Sequence, residues 1–358
     1  MTSRPLQSDA RERFAGVLLG TAVGDALGLP AENLSAQRIQ RWWKGQWKMR
    51  FIFGRGMVSD DTEHTLMVAQ ALLSESNDAK KFQRILAWKL RWWFLALPGG
   101  VGLATARACL KLWFGFPAGR NAVKSAGSGP AMRSAIIGAY FSNSPELRKE
   151  FVLASSRLTH LGWQAETAAL AVAECAALAI QNDSPPDSVI IILSLKNLSM
   201  EQEWQKLVSL MENSFKAGLS VREFARSLGL TRAVSGYSLH VVPVAIYAWL
   251  RHLNDFRTAL ISALNCGGDT DTVGAIVGAL AGVAGGKGCI PAEWLDRIWE
   301  WPRSLSVMEQ MAARLAEQRL TGKMGGPLFY FWPGQIFRNL IFFITVLAHG
   351  CRRLTPPY

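Results

Sequence analysis

Apolar residues recur with a helical spacing through almost every long segment of this chain, and only one run reads as a strand. Phe14, Val17, Leu18, Thr21 and Ala22 share one helical face. The stretch from Thr62 to Ser74 is rich in Leu, Met and Ala, and "KFQRILAWKLRWWFLAL", "AETAALAVAECAALAI" and "VGAIVGALAGVAG" follow the same style. Breakers fall between them at Leu97–Gly100, Gly115–Gly119, Asn182–Pro186 and Gly285–Pro291. The strand-like run is "SVIIILSL", Ser188–Leu195. One such run makes no sheet, so the pattern predicts an all-α, single compact multi-helix domain. The 32 glycines gather near helix-like segments, which implies close helix packing. With 49% hydrophobic and 18% charged residues the chain is globular and not disordered. No repeat, low-complexity tract or linker divides its 358 residues. The texture changes near Arg303, which divides a main unit, 1–303, from a C-terminal helical appendage, 304–358, either packed on that unit or apart from it.

A net charge of +12 favours polyanionic partners or phosphorylated ligands, without choosing among nucleic acid, anionic lipid and nucleotide-like substrates. The five cysteines are scattered and lack a CxxC pair, which argues for a reducing compartment and against a zinc site or disulfide scaffold. "MTSRPLQSDARER" has no apolar core of a secretory signal, so a cytoplasmic location is expected. Near the other end "NLIFFITVLAHG" (Asn339–Gly350) is apolar but about half the length of a membrane span. Together with "PLFYFWPGQIF" it reads either as a peripheral membrane hairpin or as a buried terminal helix with a basic tail, Arg352 and Arg353.

Two stretches carry the chemistry. "SDDT" begins at Ser59 and "GGDTDT" at Gly267, and each precedes a helix-like run. Helix capping explains one Asp in each, and Asp60 with Glu63 has the spacing of a capping box. A second carboxylate beside the first adds repulsion unless a cation or a donor absorbs it. Four carboxylates with flanking hydroxyls suit oxygen-seeking cations such as Mg²⁺, Mn²⁺ or Ca²⁺ rather than zinc.

Five motifs stand in one order: "GVLLGTAVGDALGLPAE" from Gly16, "SDDTEHT" from Ser59, "GSGPAMR" from Gly127, "RLTH" from Arg157 and "GGDTDTVGAIVGALAG" from Gly267. The set resembles the ADP-ribosylglycohydrolase family, including the bacterial dinitrogenase-reductase-activating glycohydrolases, over roughly residues 14–300. That resemblance implies an all-helical fold with a central cleft holding two Mg²⁺ ions, with Mn²⁺ as the alternative. Ser59, Asp60 and Asp61 would supply one half of the ligand set, and Asp269, Asp271 and Thr272 the other. Glu32 would face metals and substrate, with a solvated loop glutamate as the bland alternative. Asp25 would be structural. Gly127, Ser128 and Gly129 would meet a pyrophosphate, with His160 near the phosphates. Arg133 could serve phosphate or helix packing.

Three departures from the family pattern stand out. Ser59 replaces a threonine but keeps its hydroxyl, and Ser128 replaces an asparagine. The segment Leu97–Thr105 lacks an aspartate that some bacterial members carry there, which leaves Glu32, Asp61 and Asp271 as the candidate catalytic carboxylates.

The expected activity is metal-dependent removal of ADP-ribose from a modified protein side chain, arginine first, with ADP-ribose as product. The segment "RIQRWWKGQWKMRFIFGR" interleaves six basic with five aromatic residues between Glu32 and Ser59. It reads either as a rim that grips adenine or the modified protein, or as a loop whose tryptophans pack inward. Two other functional classes stay open here: a partner or immunity protein that covers an ADP-ribosylating toxin, and a nucleic-acid binder. The latter leaves both aspartate pairs unexplained, so no specific nucleic acid is expected.

Overall fold

The computed structural model describes residues 3–181 and 186–354. The expected break at 182–186 therefore lies largely outside the described residues. Helices dominate, and the only strands among the described residues are four two-residue pieces in two pairs. The all-α expectation holds.

The centre of the molecule is an antiparallel helix pair, Ser3–Gly28 against Thr270–Gly285. Its seam is glycine on both sides. A Cβ built at Gly16 would fall 2.0 Å from the carbonyl oxygen of Gly282, at Gly20 2.1 Å from that of Gly278, and at Gly24 1.9 Å from that of Gly274. Only hydrogen side chains let two helix backbones approach this closely. The seam fixes where Asp25 and Asp271 stand relative to one another. Around it, the helices Asp60–Ser74, Trp163–Gln181 and Ser238–Arg251 complete one continuous core. The helix Leu305–Thr321 joins that core through Met308, Met311, Ala312 and Leu315.

The run Ser188–Leu195 is not a strand. It forms the helix Ser188–Lys196, started by the Asp187 carboxylate, which accepts from the Val189 N–H at 2.8 Å. Ile191, Ile192 and Leu195 are buried while Val189, Ile190 and Leu193 face outward. That burial has the helical period, so packing on the neighbouring helices overrides the β-branched preference.

The C-terminal segment also differs from its expectation. Pro333 lies in the first turn of a helix, where a proline's missing N–H costs nothing, so it starts one helix instead of turning a hairpin. The helix Trp332–Arg353 runs for 22 residues, long and apolar enough to cross a membrane by length and composition. Only a third of its apolar window is buried.

Candidate active site

Capping turns out not to occupy the two aspartate pairs. In the Asp60–Ser74 helix the N-cap is Ser59, whose Oγ accepts from the Asp61 N–H at 3.2 Å. A second cap comes from outside. The fully buried Asp25 accepts from the Ser59 N–H at 2.9 Å, the Thr62 N–H at 3.1 Å and the Thr62 hydroxyl at 2.5 Å. These contacts satisfy donors that a helix N-terminus leaves open. Asp25 is therefore structural, as expected. The capping-box reading of Glu63 fails, because its carboxylate accepts from Trp93 Nε1 at 2.7 Å, Arg303 Nη1 at 3.0 Å and Gln335 Nε2. Asp269 is the N-cap of the Thr270–Gly285 helix by position, yet its side chain makes no capping hydrogen bond.

The two helix starts meet at their side chains. Asp61 Oδ2 accepts from the Ser59 hydroxyl at 3.1 Å and from the Thr272 hydroxyl at 3.3 Å. Asp61 Oδ1 and Asp271 Oδ1 are buried without a hydrogen-bond partner. An unsatisfied buried carboxylate oxygen is costly, and two together mark a place built for something else. Burial, and then the neighbouring carboxylates, push Asp60, Asp61 and Asp271 well above the usual carboxylate range; burial also raises Asp269. Asp25, pushed up to about 7 mainly by burial, lies beneath them. A divalent cation would relieve both the repulsion and the orphaned oxygens, so the donor set fits Mg²⁺ or Mn²⁺. Among the described residues, no three His, Cys, Asp or Glu side chains form a ready metal group. A ligand shell there needs the Ser59 and Thr272 hydroxyls or water as well.

Glu32 is brought to the same place by a short antiparallel pairing of Leu34–Ser35 with Gly267–Gly268, and by the Asn33 N–H donating to the Gly268 carbonyl at 2.8 Å. Both glycines have φ in the left-handed region, +71° and +86°, which turns the chain sharply into Asp269. Burial first, and Asp269 second, raise the Glu32 carboxyl. The side chain is half-buried, and Asn33 Nδ2 donates to its Oε1 at 3.2 Å.

Ser128 Oγ lies 3.4 Å from Asp269 Oδ2, so the Gly127–Gly129 loop borders the carboxylates. His160 packs beneath that loop: a Cβ at Gly127 would fall 3.0 Å from its Nε2, and one at Gly129 2.9 Å from its Cε1. The Gly127 N–H donates to Ser125 Oγ and the Ser128 N–H to the Gly236 carbonyl, so these two are engaged within the protein. The glycines here admit the imidazole. Burial, with Arg133 nearby, holds His160 down to about 3, so at neutral pH it is an uncharged ring. Arg133 itself is buried between His64, Ser155 and Thr159, which decides for its packing role.

The structure adds residues that sequence reasoning passed over. Arg353 donates to the Glu32 carbonyl at 3.1 Å and the Pro30 carbonyl at 3.0 Å, tying the last turn of the C-terminal helix to the Glu32 loop. Gly100, in the segment lacking a carboxylate, sits beside Asp60, where a Cβ would be 3.6 Å from Oδ1. No local pattern announces either contact. In the basic-aromatic segment Trp43 and Trp47 are buried, and Trp47 Nε1 donates to Asn265 Oδ1 at 2.9 Å. Arg38 lies over Trp42 and Arg50 over Trp43, so the inward-packing reading holds for that part.

A family model described as ADP-ribosylglycohydrolase matches residues 6–323. The chain is 31% identical to an uncharacterised protein of Archaeoglobus fulgidus, over 86% of this chain and 96% of that one. It is 24% identical to the ADP-ribosylarginine hydrolase Tri1 of Serratia proteamaculans, over 85% and 80%. A solved structure described as an ADP-ribosylglycohydrolase-related protein complex superposes with a TM-score of 0.61 at 27% identity, covering 87% of this chain and 99% of that one.

Proposed function

The chain belongs to the ADP-ribosylglycohydrolase family and is an ADP-ribosyl hydrolase, and from that premise we propose that it removes ADP-ribose from protein side chains, arginine foremost, with divalent metal ions. The observation that carries the metal part is the pair of buried, unpartnered oxygens, Asp61 Oδ1 and Asp271 Oδ1, between two hydroxyl-bearing helix starts. Tri1 is named for arginine-linked substrate, and the likeness to it supports that linkage here.

Ser59, Asp60, Asp61, Asp269, Asp271 and Thr272 would hold two Mg²⁺ ions, or Mn²⁺ in their place. Bound there, the ions supply positive charge that orients ribose hydroxyls and acidifies water. The chain's own residues do the rest. Hydrolysis breaks the bond from C1″ of the ribose to the side-chain nitrogen and forms a bond from C1″ to a water oxygen. The nitrogen leaves with a proton, and the water loses one. Glu32 takes the water proton in this reading, because burial and Asp269 make it more basic than an ordinary carboxylate. Positive charge developing at the ribose carbon is stabilised by the surrounding carboxylates. Ser128 borders the site and offers an uncharged polar contact to the phosphates, and the buried His160 supports the Gly127–Gly129 loop from beneath.

The test is release of ADP-ribose from an arginine-ADP-ribosylated protein, with Mg²⁺ and with EDTA, for wild type, Asp271→Ala and Glu32→Gln. Loss of turnover in EDTA and in Asp271→Ala is expected. Glu32→Gln should keep metal affinity and lose kcat. Full turnover in EDTA removes the metal reading, and turnover on serine-linked but not arginine-linked protein removes the linkage.

A further inference from the structure

We propose that the C-terminal helix Trp332–Arg353, with the tryptophan-rich surface beside it, seats the protein on an anionic lipid bilayer. The helix is amphipathic in the inverse of the usual sense. Its inward face is polar: Gln335 donates to Glu63, Arg338 pairs with the buried Glu300, and Asn339 donates to the Ala96 carbonyl at 2.7 Å. Its outward face is apolar, with Phe337 66%, Leu340 56%, Phe343 53% and Leu347 52% exposed. A helix bathed in water turns its polar side out. One that satisfies its polar groups against protein and presents Phe, Leu and Ile outward matches an apolar surrounding.

The apolar face does not stop at this helix. Trp332 meets Trp92 with ring centroids 5.4 Å apart, and Trp92 meets Trp88 at 6.1 Å and Trp113 at 6.2 Å. Trp88, Trp92 and Trp113 are exposed, and Phe114 beside them is 80% exposed. Leu97 and Val101 line a groove with Leu340 and Phe343, which closes the gap between the two parts. A contiguous apolar surface of this breadth marks an interaction site, and indole rings favour the boundary between headgroups and hydrocarbon.

Charge names the occupant. Residues 79–145, which hold Trp88, Trp92, Trp113 and Phe114, contain ten Lys or Arg, of which Arg133 is buried, and no Asp or Glu. Residues 318–358, which hold the C-terminal helix, contain five and none, with Arg338 turned inward to Glu300. Arg107 is exposed between Leu103 and Leu110, within the face itself. Apolar rings interleaved with cations and free of acid complement anionic headgroups. The helix lies along the protein and does not span, because its buried Arg338 and Asn339 stay bonded to the body from Val58 to Ala96.

Flotation of the full-length protein with phosphatidylcholine vesicles, with and without phosphatidylglycerol, tests this. Binding is expected only with the anionic lipid and should weaken with added salt. Phe337→Ser and Leu347→Ser should each lower partitioning about tenfold, given the transfer free energy of one buried large side chain. Arg107→Glu, which leaves the apolar surface intact, should lower it several-fold. All three should keep ADP-ribose release and helical circular dichroism, so a loss of binding is not a loss of fold. Absence of flotation, or flotation indifferent to both serine substitutions, overturns the proposal. So does a salt- and alkali-resistant association that shields the tail from protease, which would mean a span. A soluble dimer that Phe337→Ser dissociates would assign the face to a second copy and overturn it likewise.

Discussion

Replacing Gly278 by alanine inserts one methyl group into the seam between the Ser3–Gly28 and Thr270–Gly285 helices. The new Cβ would stand 2.0 Å from the Gly20 carbonyl oxygen, where ordinary contact begins at 3.4 Å. The obstacle is backbone, so no side chain can swing aside and the helices must part by roughly 1 Å, which forfeits dispersion along the whole seam. Overpacking of this kind costs about 1–3 kcal/mol, and a backbone obstacle places it at the upper end. Alanine returns about 1 kcal/mol of helix propensity. The net expectation is about 2 kcal/mol of destabilisation, read as a lower denaturation midpoint with unchanged slope in guanidinium. Gly350→Ala is the control, because it lies in a helix with nothing within 4 Å of the new Cβ. It should be neutral or stabilising by up to about 1 kcal/mol. The seam also holds Asp271 against Asp25, so Gly278→Ala should lose activity out of proportion to its folded fraction. If Gly278→Ala matched Gly350→Ala in stability, the close approach of these backbones would be refuted.

Glu63→Gln leaves the buried Arg303 without its counter-charge and should cost about 3–5 kcal/mol in urea, whereas a cost under 1 kcal/mol would deny that the pair is buried. His160, neutral when folded and held down to about 3, takes up its proton on unfolding, so the folded state loses stability as pH falls through the unfolded value near 6.5. Relative to His160→Gln, wild type should therefore lose about 2 kcal/mol between pH 7.5 and 5, measured by denaturation at each pH; parallel profiles would refute it. In the Ser188–Lys196 helix, Ile191→Ala should cost about 2–4 kcal/mol and Leu193→Ala under about 0.5 kcal/mol. A strand would place both side chains on one face and make their costs alike.

The difference between what was legible in the sequence and what was not follows the range of the interaction. The helical period is a local property, and it gave the all-α architecture from residues such as Phe14, Val17 and Leu18. It failed where local preference and packing disagree: Ser188–Leu195 has a strand's composition, but only one helical face finds a neighbour. The abundance of glycine announced close packing, yet not its partner, because the pairing of Gly20 with Gly278 spans most of the chain. The aspartate pairs stood out through their like charge at short separation, while the reason that capping cannot explain them sits on another helix. Asp25 already satisfies the Ser59 and Thr62 donors, which leaves Asp60 and Asp61 without capping work. The C-terminal helix reads ambiguously in the sequence for a related cause. Its apolar residues count the same whether they face inward or outward, and only the partners of Gln335, Arg338 and Asn339 show that its polar face is the buried one. Those partners lie on three distant segments, one of them the segment that holds Asp60's neighbour Gly100, and Arg353 at the helix end holds the Glu32 loop. A helix that reads as an appendage by composition thus braces two walls of the site, so substitutions that detach it should lower kcat even though it carries none of the candidate catalytic carboxylates.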